Sequence, residues 1–121
     1  MSEEVSWPKE IRVSRDKKTL TLVFENEEPV SFTAEFLRVH SPSAEVQGHS
    51  REQKQTVAGK QNVEIMKIDP VGNYAVRISF DDMHNTGLFS WAYFKEMAAQ
   101  KEDLWKAYLA ELEEKGLKRI P

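Results

Sequence analysis

The sequence predicts an α+β fold: a mainly antiparallel sheet of short strands, with a short mid-chain helix and C-terminal helix or helices packed on it. Three observations lead there. Apolar and polar residues alternate in several windows of four to eight residues, the pattern of half-buried strands. These windows all lie before residue 91, and helical apolar spacing dominates after it. No strand–helix–strand alternation of the kind that builds a parallel sheet is visible.

Each element has a local reason. In EIRVSR (10–15) Ile11 and Val13 share a face, and in TLTLVFE (19–25) Leu20, Leu22 and Phe24 do. The DKK between them supplies turn chemistry, so the pair reads as a hairpin. NEEP (26–29) turns the chain into VSFT (30–33), with Val30 and Phe32 inward, completing a three-strand meander. Thr33 is placed to N-cap a short helix through AEFLRVH, with Glu35 in its first turn. Phe36, Leu37 and His40 fall on one face of that helix. Ser41-Pro42 ends it, because a residue before proline is pushed out of helical geometry. Residues 47–62 carry few apolar side chains and two glycines. They read as a long exposed loop, a length more often functional or mobile than neutral.

Strands resume at VEIMKI (63–68) and NYAVRISF (73–80), joined by DPVGN, with Tyr74, Val76, Ile78 and Phe80 inward. A loop, DDMHNTG (81–87), leads to a brief strand at LFS. Ser90 then caps a helix whose apolar stripe is Trp91, Phe94, Met97 and Ala98. A further helix, roughly 102–115, carries Leu104, Trp105, Tyr108, Leu109 and Leu112. Glu102 and Asp103 suit its positive end, Lys115 its negative end, and Gly116 its C-cap. Lys101 interrupts the stripe, which places a break between the two helices. The last few residues are expected to fray, and Trp7 to act as a lid on the core edge.

With 121 residues, the chain reads as one domain, 1–121. Its net charge of −3 argues against nucleic acid and against a membrane surface as partners, since both reward a basic face. The absence of cysteine removes disulfides, thiolate nucleophiles and Cys-held metals. MSEEVSWPKE has no signal-peptide core, and no window reaches the ~18 apolar residues of a membrane span. The expected location is therefore cytoplasmic.

Several stretches resemble parts of known chemistries. AGKQ (58–61) echoes a phosphate loop, but Lys54 stands where its first glycine belongs and Gln61 where Ser or Thr should hold magnesium. Ser41, Ser43 and Ser50 lie near His40 and His49, yet the G-x-S-x-G elbow is missing and turn or cap roles suit the serines. The run LFSWAYF (88–94) offers stacking surfaces without the interleaved basic residues of a single-strand binder, so core packing is favoured. The acidic AELEEK face reads as solvated helix. His40, His49 and His84, beside Glu45, Asp81 and Asp82, could together supply a His/carboxylate set for iron or zinc. Against that, no H-x-H or H-x-x-x-H pair exists, and a histidine at a helix C-terminus often serves the dipole or packing.

In order, WPKEIRV, EFLRVHSPSAEVQGH, IDPVGNYAVRISFDD, HNTGLFSW and the trailing helix resemble the gamma-butyrobetaine hydroxylase-like N-terminal domain family. The likeness covers about 6–97, with a helical extension over about 98–116. That family occurs as small bacterial proteins and fused to oxygenases or to Mrp-type iron–sulfur carrier ATPases. In the oxygenase branch it looks like a zinc-holding module, with a C-x-C-x-x-C run after an LR pair and a downstream histidine. Laid on this chain after Leu37-Arg38, the cysteine positions become Ser41, Ser43 and Val46, and the histidine becomes His84. Neutral serine is a poor zinc ligand and valine is none, so the resemblance implies a hydrogen-bonded or apolar plug there. Met83 and Asn85 stand where the family usually has Gly and Asp.

The resulting expectation is a non-enzymatic module that docks on a protein partner, accessory to iron–sulfur or iron-enzyme maturation, with Arg38, Ser41, Ser43 and Glu45 as interaction residues. The alternative is direct binding of iron or zinc by His40, His49 and His84. Oxygenase activity is not expected, because the H-x-D…H iron triad is missing: Asn85 and Thr86 follow His84.

Overall fold

The computed structural model describes residues 7–43, 46 and 56–121. Among these, β1 (Pro8–Val13), β2 (Thr19–Phe24) and β3 (Val30–Thr33) form an antiparallel meander in that order. A second antiparallel sheet holds β4 (Ile65–Val71), β5 (Ala75–Phe80) and β6 (Gly87–Ser90), again in chain order. Helix α1 (Ala34–Val39) joins the sheets, and α2 (Trp91–Ala99) and α3 (Lys101–Lys115) follow the second. This is the α+β arrangement that the alternation patterns predict.

One apolar cluster serves both sheets. Leu20, Leu22, Phe24 and Phe32 from the first meet Val76, Ile78, Phe80 and Phe89 from the second. Phe94 of α2 lies between them, its ring centroid 5.7 Å from both Phe32 and Phe89. Each of these side chains removed from water stabilises by about 1.5–3 kcal/mol. The β1–β2 turn ties the parts together: the Lys17 carbonyl accepts from Ile65 N–H and the Lys18 carbonyl from Ala34 N–H, each at 2.8 Å. It therefore fixes the starts of both β4 and α1.

The helix signals are used as written. Thr33 Oγ1 accepts from Phe36 N–H at 3.0 Å, and Ser90 Oγ from Tyr93 N–H at 3.0 Å. Gly116 closes α3 with φ +66°, a left-handed position that glycine takes without a Cβ penalty. The break between α2 and α3 falls at Gln100, one residue before Lys101.

Elsewhere the structure corrects the expectations. Strand β4 runs to Val71, past Asp69-Pro70, and the turn is made by Gly72 at φ +54°. Pro70 is tolerated because β4 is an outer strand. Tyr74 consequently sits in the turn and is 56% exposed, not inward, while Ala75 is buried. Trp7 is 60% exposed and covers no core. Residues 56–60 of the expected exposed loop are half-buried: the Val57 carbonyl accepts from Tyr108 OH at 2.6 Å. The C-terminal residues are tied down, with the Lys118 and Arg119 carbonyls accepting from Gly59 and Gln61 N–H. Arg119 also makes a two-armed ion pair with the buried Glu35, both contacts at 2.8 Å. No helix among the described residues is long and apolar enough to cross a membrane.

Candidate functional site

The two described histidines, His40 and His84, have separate surroundings. His40 caps the C-terminus of α1, where Nδ1 shares a 2.9 Å hydrogen bond with the Phe36 carbonyl. Its ring lies on Phe36, centroids 4.3 Å apart, and edge-on to Tyr108 at 6.3 Å. Its carbonyl accepts from Tyr93 OH at 2.6 Å. Burial pushes the Tyr93 hydroxyl up to about 12, with the Glu96 charge adding to it, so it stays a donor across the working pH range. His40 is thus held as a packing and capping residue. His49 and Glu45 lie outside the described residues.

His84 anchors a different arrangement. Its Nε2 shares hydrogen bonds with Ser41 Oγ at 2.9 Å and Ser43 Oγ at 3.4 Å. Ser43 N–H in turn donates to Ser41 Oγ at 3.4 Å. All three residues are buried, Ser41 completely, and Val46 is buried beside them in the chain at 1% exposure. The segments that meet here are Ser41–Ser43, after α1, and 81–87, between β5 and β6. Gly87 allows the approach: a Cβ there would overlap Ser41 Oγ and sit 3.1 Å from the Phe89 ring. The structure therefore brings Ser41, Ser43 and His84 together, as a plug between two loops.

The donor set does not fit a zinc ion. The imidazole nitrogen is bonded to two neutral hydroxyls, and Val46 offers no lone pair. Among the described residues, no group of three or more His, Cys, Asp or Glu side chains could hold a metal. A Ser–His pair at 2.9 Å also resembles a nucleophile with its base. But Ser41 is 0% exposed, so no substrate carbonyl could reach its oxygen.

Beside the plug, Asp82 is clamped by Arg38 Nε at 2.7 Å and Lys60 Nζ at 2.6 Å. Its other oxygen accepts from His84 N–H at 3.1 Å. Burial alone would raise the Asp82 carboxyl, but the hydrogen bonds from Lys60, Arg38 and the His84 backbone outweigh it and hold the pKa at about 2. Arg38 thus faces inward and braces the 81–87 loop, leaving Nη1 buried without a hydrogen-bond partner. The DDMH run contained this clamp, but nothing local identified Lys60, 22 residues earlier, as its second cation. Gly87 was likewise visible only as a loop residue.

A separate groove of about 790 Å³ lies between β3, α1 and α3, with Phe32, Phe36 and Trp105 on its walls. Two of its three cations are already engaged. Lys101 Nζ donates to the Ser31 carbonyl at 2.6 Å, and Arg119 stacks 5.2 Å from the Trp105 ring while paired to Glu35.

No curated protein matches the chain. A protein solved in solution by NMR shares 46% identity, with a TM-score of 0.83 over 98% of this chain and 93% of that one. A second NMR structure shares 40% identity, also with a TM-score of 0.83, over 100% and 90% of the two chains. A crystal structure from Acidithiobacillus ferrooxidans, of a protein of unknown function in the DUF971 family, shares 35% identity. Its TM-score is 0.63 over 76% of this chain and 92% of that one. The family model described as gamma-butyrobetaine hydroxylase-like, N-terminal, matches residues 11–95, from within β1 to within α2. The chain therefore belongs to the gamma-butyrobetaine hydroxylase-like N-terminal domain family.

Proposed function

We propose that this chain is a non-catalytic binding module that docks on a protein partner, with an accessory role in iron–sulfur or iron-enzyme maturation suggested by the fusion partners of its family. The observation that supports this reading is the closed junction at His84. At the four positions where the oxygenase branch looks to hold zinc, this chain has two serines, a valine and one histidine, all buried. Such a plug joins two loops and keeps the fold, but it presents no reacting group to solvent. What remains available to a second molecule is surface, which is what a docking module uses.

The test is affinity capture with the tagged full chain from its source cell, paired with metabolite-turnover assays on the pure protein. A stoichiometric protein partner and no turnover are expected. Turnover of any metabolite, or no partner recovered, would overturn the reading. Direct metal binding by His40, His49 and His84 is separated by an NMR titration of the histidine side chains with zinc and then ferrous iron near pH 7. Two or more histidines shifting together at stoichiometric metal would favour that alternative.

A further inference from the structure

A cleft of about 560 Å³ opens between β1 and β4. Each of those strands is the outer strand of its sheet, so the cleft is flanked by two sheet edges. It is closed at one end, where Ile65 N–H donates to the Lys17 carbonyl. The walls carry Ile11, Val13, Met66, Ile68 and Pro70, and the fully packed Val76 reaches its floor. Ile11 is 38% exposed and Met66 54% exposed, although strand residues of this kind normally pack. Apolar side chains thus come to the surface along this seam.

The charge on the cleft has one sign. Arg15, Lys17 and Lys67 line it, and none of its described lining residues is acidic. Asp69 lies 3.7 Å from Lys67, but both side chains are well exposed, and such a pair neutralises little. In the groove beside Trp105, by contrast, Arg119 is already spent on Glu35 and Lys101 on a backbone carbonyl. Among the described residues Arg15 and Lys17 make no ion pair, so the cleft offers positive charge to a partner on a protein with an overall charge of −3.

Resting on the docking reading above, we propose that the β1–β4 cleft takes an extended segment of a protein partner, one in which aliphatic side chains alternate with carboxylates. The segment adds as a strand along the open edge of β1 at Ile11–Val13. Strand addition supplies backbone hydrogen bonds, and the period of two sends alternate side chains into the apolar cleft. The remaining side chains meet the rim, where carboxylates find Arg15, Lys17 and Lys67. The lining is aliphatic with no aromatic ring among the described residues, which suits a peptide better than stacked bases. Each edge is also guarded. A register shift follows Pro8 in β1, and β4 carries a shift at Met66 and a proline at position 70. These features limit pairing to a short window and so to a matched segment.

The test is a ¹⁵N-NMR titration of the full chain with acetyl-Glu-Val-Glu-Val-Glu-Val-amide, its Lys-for-Glu counterpart, and phosphatidylserine vesicles. The acidic peptide should saturate, shift the amides of residues 11–13 and 66–68, and weaken as salt is raised. Lys17→Glu with Lys67→Glu, both at exposed positions, should weaken it at least fivefold while leaving the rest of the spectrum in place. Equal binding of the basic peptide would overturn the proposal. So would shifts confined to other surfaces, binding to vesicles alone, or no saturation by millimolar peptide. The same double variant used as capture bait separates this proposal from the reading it rests on. A partner recovered by wild type and variant alike leaves docking intact and removes the cleft. A partner lost only with the variant supports both, and none with either removes docking.

Discussion

The loop junction at His84 and the cleft between β1 and β4 treat exposure in opposite ways. At the junction, polar side chains are buried and bonded to one another, with Ser41 at 0% and His84 at 6% exposure. In the cleft, apolar side chains stand in water, with Met66 at 54%. Burying hydroxyls and an imidazole is tolerable only because each finds a partner. Leaving apolar surface open costs some stability, and it is the kind of surface that a second molecule repays. The first region is closed to ligands, and the second is where we propose that one docks. Substitutions at the junction should therefore move stability, and substitutions in the cleft should not.

The largest expected effect converts the junction to a metal site. Ser41→Cys, Ser43→Cys and Val46→Cys together, with His84 kept, should supply a Cys₃His zinc set. Zinc at about a thousand times its dissociation constant should then stabilise by about 4 kcal/mol, read as a zinc-dependent rise in urea midpoint that wild type lacks. A triple variant that folds but shows no zinc-dependent rise would mean that the four positions do not converge as a tetrahedron. Next, Gly87→Ala forces a methyl group onto Ser41 Oγ and should destabilise by about 3 kcal/mol in urea unfolding. A loss below about 0.5 kcal/mol would show that the two loops separate easily.

Acid should loosen the same junction. The Asp82 carboxyl is depressed to about 2 in the folded chain, against 3.8 ordinarily. Its contribution is therefore present above pH ~4 and lost as pH falls toward ~2. With solvent screening allowed for, that contribution is on the order of 1 kcal/mol. Asp82→Asn should remove this part of the acid dependence, which equilibrium unfolding at pH 6 and pH 3 would reveal. A smaller gain is expected nearby. Met83 is 86% exposed and held at φ +74°, where the family usually has glycine. Met83→Gly should stabilise by about 0.5 kcal/mol, the relief of the left-handed strain less the added chain entropy. Smallest of all, Met66→Ser in the cleft should shift stability by less than about 0.5 kcal/mol while weakening acidic-peptide binding. A large loss of stability there would make the cleft part of the core and erase the contrast.

Much of the fold was legible because its signals are local. Thr33, Ser90 and Gly116 act as caps within three residues of the backbone groups they satisfy. Leu20, Leu22 and Phe24 alternate in one strand and are buried together. Tyr74 was misplaced for the same local reason: a period of two extends smoothly back from Val76, and nothing in it reveals that the turn begins at Gly72. Strand β4 ran past Pro70 because an outer strand can spare one donor, and edge status is a property of the sheet. The tail read as frayed because its anchors lie far off, with Arg119 paired to Glu35 across 84 residues.

By itself, then, the sequence determined the α+β class, the meander, the three caps and the family, since each rests on neighbours within a turn or a strand. The family resemblance also lays the cysteine positions of the oxygenase-type zinc site on Ser41, Ser43 and Val46. Only the tertiary structure decided what took the place of that site. Ser41 and His84 are 43 residues apart in the chain, and whether they meet depends on how two sheets pack around Phe94 and on the missing side chain at Gly87. The cleft, too, exists only because β1 and β4 end up as facing outer strands, a fact of topology that no single stretch of residues contains.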